Sequence, residues 1–481
     1  MPSSEIQHWP ILLSSFTVIG LTYGLASCVG VFYIEWFAEF PESAALVGGL
    51  SVSVLVLLLC SSPFASALAK FYGVRTVVAA GACLSFAGLL CSSLAHEVYV
   101  LFITIPFMAG IGFGLSHMGV LIIISEYFHK HYAMANGIAT TGASVGMIVL
   151  PTLCVFLIKL YGWRGALKVL SAVQANVLVC AGLLKAPVDR RDKRKLVGDG
   201  QNRNSTGSYG STKLSHRGRN GEYVYSQLLK NEGSSKDVSH TMNESQSDCE
   251  TVQDVENMLE KSAQGGKWCQ RFAHLLDRSG LSLLWTNRVF MSFLPAVFTN
   301  TSIYGVSLAY IAARAESVGV PNLQATSLIS TIGIANIASR LTHGHLVDAG
   351  LVQPAYLYAI FVALATIAGP IIAMIESYPG FLVCAVLVGL SAGVYVPMQN
   401  TLTRQIAGQE KFPEASGIGL VVSASGDLLS ALMAGYLHDV TSSYSGGFIM
   451  MGVVSGLCVA LTLMLHLIWT RLIPDDRWPR V

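Results

Sequence analysis

The chain has 481 residues, of which 52% are hydrophobic and only 12% charged, with a formal net charge of +2. Soluble domains carry about 25% charged residues, so a water-soluble globular fold is excluded. The near balance of charge leaves no basis for bulk nucleic-acid binding. Much of the Lys, Arg, Asp and Glu lies in residues 186–279, and the sequence on either side is nearly bare of charge. That pattern describes a polytopic all-α membrane protein interrupted by one long polar loop.

A spanning helix needs about 20 mostly apolar residues. Runs of this kind are expected at 10–37, 44–69, 75–95, 98–125, 133–159 and 165–185, then at 288–312, 324–346, 353–375, 380–403, 415–437 and 447–470. Six lie on each side of the loop. No short leader with a cleavage site precedes the first run, so that run is expected to be retained as a helix. The turns holding Lys70 and Arg75, Lys130, and Arg404 with Lys411 alternate with acidic or neutral turns, the first of which holds Glu35, Glu39 and Glu42. Basic turns mark the cytosolic side. The loop, with its VDRRDKRK stretch, and both termini are therefore expected there, with Arg471, Arg477 and Arg480 in the tail. Lys159 and Arg164 fall on the outer side and break the pattern.

The expected domains are a first half at 1–186, a loop at 187–279, a second half at 280–470 and a tail at 471–481. The loop is rich in Ser, Asn, Gly, Lys and Asp and is expected to be disordered, since it cannot bury enough apolar area to fold. Its sequons at Asn204 and Asn243 would go unused on the cytosolic side, and the sequon at Asn300 sits at membrane depth. The ten cysteines, eight of them in apolar runs, include no CxxC pair and read as small packing residues rather than disulfides or metal ligands.

Within the spans the polar residues repeat at helical spacing. In the fourth span, His117 follows the glycine-rich MAGIGFG and reads as a helix–helix contact that could also titrate. In the seventh, Asn300 and Tyr304 share a face; in the tenth, Tyr395 and Gln399 do. Each could hydrogen-bond a solute or a neighbouring helix. The eighth run carries Arg340, with Asn336 four residues earlier on the same face. A guanidinium in hydrocarbon is costly and usually faces a protein interior or a water-filled cavity. Arg340 either binds a carboxylate with its planar donor fork or snorkels to the headgroups as a structural cation. In the eleventh run Asp427 must pair, protonate or meet water. Arg340 is a candidate partner, which would make a fixed bridge, and a proton or cation relay is the alternative. Ser423 lies one turn before Asp427. His343 and His345 are two residues apart and so on different helical faces, which argues against a metal pair.

An internal repeat supports two equivalent halves. MAGIGFGLSHMG in the fourth span matches LVGLSAGVYVPM in the tenth, so Gly110 and Gly114 correspond to Gly389 and Gly393. ANGIATTGASVG matches ASGIGLVVSASG, which pairs Gly137 with Gly417. Two six-helix halves joined by a loop, with a solute site between them near the midplane, are the arrangement of the major facilitator fold. No HExxH, GxSxG or GxxxxGK[ST] occurs, so neither catalysis nor ATP-driven pumping has a motif, and no cofactor is implied. A channel would need a polar or charged ring, usually from symmetric subunits. One Arg and one Asp in non-equivalent helices fit alternating access better. A carrier fold that has lost transport and serves as a regulator or receptor is the other alternative.

The segments YFHKHYAMANGIATTGASVG (127–146), YGWRGAL (161–167), IGIANIASRLTHGHLVD (332–348) and AGYLHDVTSSYSGGF (434–448) resemble the monocarboxylate transporter family of the major facilitator superfamily. The resemblance covers both helical halves and not the loop. It implies twelve transmembrane helices, a plasma-membrane location, a small organic solute, the lipid bilayer as surroundings and a single-span accessory glycoprotein as partner. It also makes Tyr23 and Ser27 pocket candidates. Proton-coupled lactate carriers of the family use a first-helix lysine where this chain has Ser27, and an aspartate four residues before the eighth-helix arginine where this chain has Asn336. The acidic, tryptophan-rich start of the first helix is reduced here to EIQHWP (5–10). The chain therefore resembles the members that are not proton-coupled, with a carboxylate-bearing solute expected. A proton-coupled symport that uses Asp427 instead is the other alternative.

Overall fold

The computed structural model describes residues 8–40, 44–184 and 283–472. All of these belong to one unit, Met1–Pro187 with Leu275–Val481. The expected loop at 187–279 and the sequons Asn204 and Asn243 lie outside the described residues.

Among the described residues the chain is helical. The first half comprises α1 (Trp9–Glu39), α2 (Ala44–Cys60), α3 (Ser62–Tyr72), α4 (Val74–Ser92), α5 (Val98–Phe102), a π-helical segment (Ile103–Gly110), α6 (Ile111–Tyr127) and α7 (Tyr132–Leu183). The second half comprises α8 (Leu283–Thr286), α9 (Arg288–Ser317), α10 (Asn322–Asp348), α11 (Pro354–Met374), α12 (Tyr378–Thr441) and α13 (Ser445–Leu472).

Eight of the described helices are long and apolar enough to cross a membrane, or nine if α2 and α3, bent by 40° around Ser61, form one broken span. Two of the eight reverse direction partway along. Gly162 in α7 has φ 66°, and Gly408 in α12 has φ 76°, a backbone region that glycine enters without steric cost. Each of these helices is thus two spans joined at a glycine. The remaining long helix, α10, is too polar for the apolar criterion because it carries Asn336, Ser339, Arg340 and His343. Counting it gives twelve spans, six before and six after the connecting segment, in register with the runs expected from hydropathy. The fourth span differs in one respect. After the short α5 it carries a π-helical stretch around Pro106, whose missing N–H and bulky ring disfavour regular i→i−4 bonding.

The repeat has a structural counterpart. A Cβ on Gly114 would collide with Leu58 and Ser61, and one on Gly393 would collide with the equivalent pair, Asn336 and Ser339. Gly110 sits on Val54, as Gly389 sits on Ile332. Gly146 approaches the carbonyl of Gly20, and Gly426 approaches that of Phe298. Gly137 packs on the Arg340 carbonyl, and Gly417 packs on Pro63. The last pair crosses between halves: α7 of the first half rests on α10 of the second, and the second part of α12 rests on α3 of the first. The apolar cores interlock in the same way. Phe412, Leu420 and Ala424 join the core of the first half, and Ala133 joins a core of the second. Large apolar side chains such as Phe64, Leu323 and Met374 point outward, as a surface in hydrocarbon requires.

The helices run between two ends of the bundle. The connector end holds the turns at Gly73, 128–131, 349–353 and Gly408, together with the ends of α7 and the start of α9. At the far end Arg164 bonds Glu39 at 2.6 Å and the Ala95 carbonyl at 2.9 Å, and Trp163 also donates to Glu39. Of the two basic residues that broke the charge pattern, Arg164 is thus paired with a carboxylate.

Candidate functional site

Eight residues, or about 12 Å at 1.5 Å per residue, separate Arg340 from the end of α10 at Asp348. The side chain is 7% exposed, so it faces the protein and does not reach for the headgroups. One guanidinium arm donates to the carbonyl of Thr140 in α7, and Nε has no hydrogen-bond partner. Around the group stand Tyr304 of α9, Tyr23 of α1 and Tyr395 of α12, all close enough to interact with it electrostatically. Asp427, in the second part of α12, acts on the same three tyrosines. The bridge expected between Arg340 and Asp427 does not form. Among the described residues no ion pair joins them: the arginine donates to the Thr140 carbonyl, and Thr301 of α9, whose hydroxyl donates to the Ser423 carbonyl at 3.1 Å, lies near the aspartate.

Asp427, Tyr23, Ser27 and Tyr304 are half-buried although they lie deep in the bundle, whereas Tyr395 is 1% exposed. Of these, Tyr23, Tyr304 and Tyr395 come from both halves and sit within electrostatic range of both Arg340 and Asp427. The three tyrosines thus gather around one cation and one carboxylate, contributed by different helices of the second half. Gly305 adjoins that carboxylate; a Cβ there would lie 3.4 Å from Oδ1.

The other candidates divide. The His117 ring meets Tyr23 edge-on at 5.1 Å between centroids, and its Nδ1 has no partner. Gln399 donates to Ser423 at 3.3 Å and so belongs to the wall beside Asp427. Ser27 donates to the Gly24 carbonyl of its own helix at 2.7 Å. Asn336 is fully buried and accepts from Ser144 of α7 at 2.9 Å, so it faces the seam between the halves. Asn300 lies in α9, but its side chain is outside the described residues. His343 is buried and His345 exposed, as their spacing requires.

The seam carries the residues that sequence reasoning overlooked. Asn136 donates to the Pro397 carbonyl at 2.9 Å, and the Met134 amide donates to Asp348 at 2.9 Å. Lys70 pairs with Glu414, Arg404 donates to the Phe128 carbonyl at 2.9 Å, and Gln409 donates to that of Ser125 at 3.3 Å. The Arg404 guanidinium also lies over the Tyr132 ring, 4.3 Å from its centroid. The bonds between the halves thus gather at the connector end. Among them, at the same end, lies a cavity of ≈ 540 Å³ lined in part by His129, Lys130, Asp348 and Arg404. Their signal was present in the sequence as charges at helix ends, but the partner of each lies in the other half.

Twelve helices in two related halves, with a bonded seam at one end, are the architecture of a membrane transporter. Residues 12–431 match the family described as Major Facilitator Superfamily, and the chain belongs to it. Within it the chain is similar to the monocarboxylate transporters. Human monocarboxylate transporter 14 is 27% identical over 462 residues, covering 93% of this chain and 88% of that one. Monocarboxylate transporter 13 of Rattus norvegicus is 24% identical over 457 residues, covering 95% and 88%. Among solved structures, the FucP transporter in an outward conformation superposes with a TM-score of 0.64 at 13% identity, covering 96% of this chain and 99% of that one.

Proposed function

We propose that the chain is a secondary transporter of the plasma membrane that moves a small organic solute bearing a carboxylate, and that Arg340 binds that carboxylate. The observation that carries this reading is a buried guanidinium, with no acidic partner among the described residues and an unpartnered Nε, on the wall of a space lined by both halves. Burying a cation in the membrane interior costs about 3 kcal/mol or more. A solute carboxylate offsets that cost and satisfies the open side of the planar fork.

The halves are bonded together at the connector end, which the basic turns assign to the cytosol, so this conformation is closed inward. Solute arrives from outside, meets Arg340 and the three tyrosines, and releases the seam only if it binds the inward-open state better than the closed one. Tyr23, Tyr304, Tyr395 and Gln399 complete the site; Asn336 holds the seam beside it. In this reading 1–186 and 280–470 are the moving halves, and 187–279 and 471–481 are cytosolic.

Ser27 and Asn336 cannot take up a proton at the two positions where the resemblance places proton-linked residues. Uptake is therefore expected to change little with pH, unlike a proton–lactate symport. The test is uptake of labelled carboxylates in oocytes that express wild type or Arg340→Lys, with surface protein quantified. The lysine keeps the charge and loses the bidentate fork. A fall of about tenfold or more in uptake at equal surface amount is expected. Unchanged uptake removes Arg340 from the site.

A further inference from the structure

The cavity at the connector end has no task in the reading above. Its volume of ≈ 540 Å³ falls in the range of roughly 300–1,000 Å³ common for small-molecule sites. His129, Lys130 and Tyr132 of the first half line it together with Asp348, Gln353 and Arg404 of the second. His129, Lys130 and Gln353 are exposed, so the cavity is open to solution. Lys130 pairs with no carboxylate among the described residues. Arg404 donates to the Phe128 carbonyl at 2.9 Å and lies 3.2 Å from His129 Nδ1; the rest of its guanidinium makes no hydrogen bond among the described residues. The carboxylate in the wall, Asp348, already accepts the Met134 amide at 2.9 Å. The Tyr132 hydroxyl is buried without a hydrogen-bond partner. Both α7 and α11 begin at this wall, and neither start is capped by a side chain. Helix starts carry partial positive charge. The cavity thus gathers two cations and two positive helix ends against one carboxylate that is already engaged.

We infer that this cavity binds a phosphate monoester presented from the cytosol, and that the bound compound holds the carrier closed inward. The cytosolic side and the closed form are those of the reading above. A phosphate group, with its higher charge and extra oxygens, matches an ammonium, a guanidinium edge and helix-start amides better than a carboxylate does. The cavity is larger than a bare phosphate, so it also accepts the organic part of the compound, with Gln353, Gln405 and Gln409 as polar contacts. An anion here bridges Lys130 of one half and Arg404 of the other. Separation of the halves at this end pulls those two cations apart. The compound therefore binds the closed form better and shifts the population toward it. The phosphate arrives either on a soluble compound or on a phosphorylated lipid headgroup of the inner leaflet.

The test uses the purified full chain in nanodiscs and reads binding directly. The soluble probes are AMP and glucose 6-phosphate, with adenosine and glucose as unphosphorylated counterparts, measured by calorimetry. The lipid probe is phosphatidylinositol 4-phosphate in phosphatidylcholine discs, compared with phosphatidylinositol and measured by thermal stability. At least one phosphorylated probe should bind saturably where its counterpart does not. A response to a soluble probe, or to the lipid alone, upholds the site and names the source. Lys130→Glu, at an exposed residue with no ion pair among the described residues, should weaken binding about tenfold or more. Arg75→Glu, exposed at the same end but outside the cavity, should leave it unchanged. The bound probe should also slow labelling of a single cysteine introduced at the seam. The inference is overturned if no phosphorylated probe binds, if Lys130→Glu and Arg75→Glu weaken binding equally, or if bound probe leaves the labelling rate unchanged. Arg340→Lys should bind the probe as wild type does, so a failure of the carboxylate reading is told apart from a failure of this one.

Discussion

The two halves place their backbones alike and their charges differently. Because Gly114 rests on Leu58 and Ser61 as Gly393 rests on Asn336 and Ser339, the next residue along, Ser62, is the counterpart of Arg340. By the same reasoning Met147 is the counterpart of Asp427. In the proposed solute site the first half contributes a tyrosine and a serine from α1, and the second contributes both charges. At the connector end both halves are charged, with opposite signs. Lys70 holds Glu414 near the start of the second part of α12, and its counterpart Asp348 holds the Met134 amide near the start of α7. Shared glycines make the symmetric frame, and the side chains break the symmetry wherever binding or closure needs direction.

Three perturbations would break or sharpen that contrast. The largest effect should come from the frame itself. Gly146→Val and Gly426→Val each push a side chain into a backbone carbonyl of the neighbouring helix, at a cost of about 3 kcal/mol or more. Both should lower the amount of folded carrier to a similar degree in fluorescence-detected size exclusion. A large difference between them would show that the halves are not packed equivalently. The closure is next. Lys70→Glu and Glu414→Lys should each open the connector end, shifting the inward-open population by about tenfold for about 1.4 kcal/mol, and the double exchange should restore it. Accessibility of a single cysteine introduced at the seam reads this out. If the double variant is no better than either single, the pair does not couple the halves. The smallest effect should follow Glu39→Gln at the far end. Its partner Arg164 is part-exposed, so about 0.5 kcal/mol of stability is expected to be lost, with transport unchanged.

Much of the frame could be read directly from the sequence. Apolar runs marked the spans, the eighth only marginally because of its polar residues, and the paired glycine motifs announced which helices approach closely, because only glycine admits a carbonyl at such distances. The positions of Arg340 and Asp427 were also legible, since a charge within an apolar run has few places to go. What could not be read was the choice of partners. Nothing in the order of residues says that Thr140 rather than Asp427 takes the guanidinium, or that Asn336 turns to Ser144 and leaves the space to Tyr23 and Tyr304. Those choices depend on how α7 of one half lies against α10 of the other, a relation between segments about two hundred residues apart. The lock between Lys70 and Glu414 was hidden for the same reason, and the π-helical turn at Pro106 because a proline predicts a disturbance without its form.

The polarity of α10 has a consequence for how the chain is made. It is the one long described helix too polar to count as a span by hydropathy, so the translocon would release it poorly into lipid as a lone segment. Its polar face is received by Thr140 and Ser144, which were synthesised earlier. The first half then acts as an assembly template for the second. Expressed alone, the second half should be degraded, and supplying the first half as a separate polypeptide should rescue it.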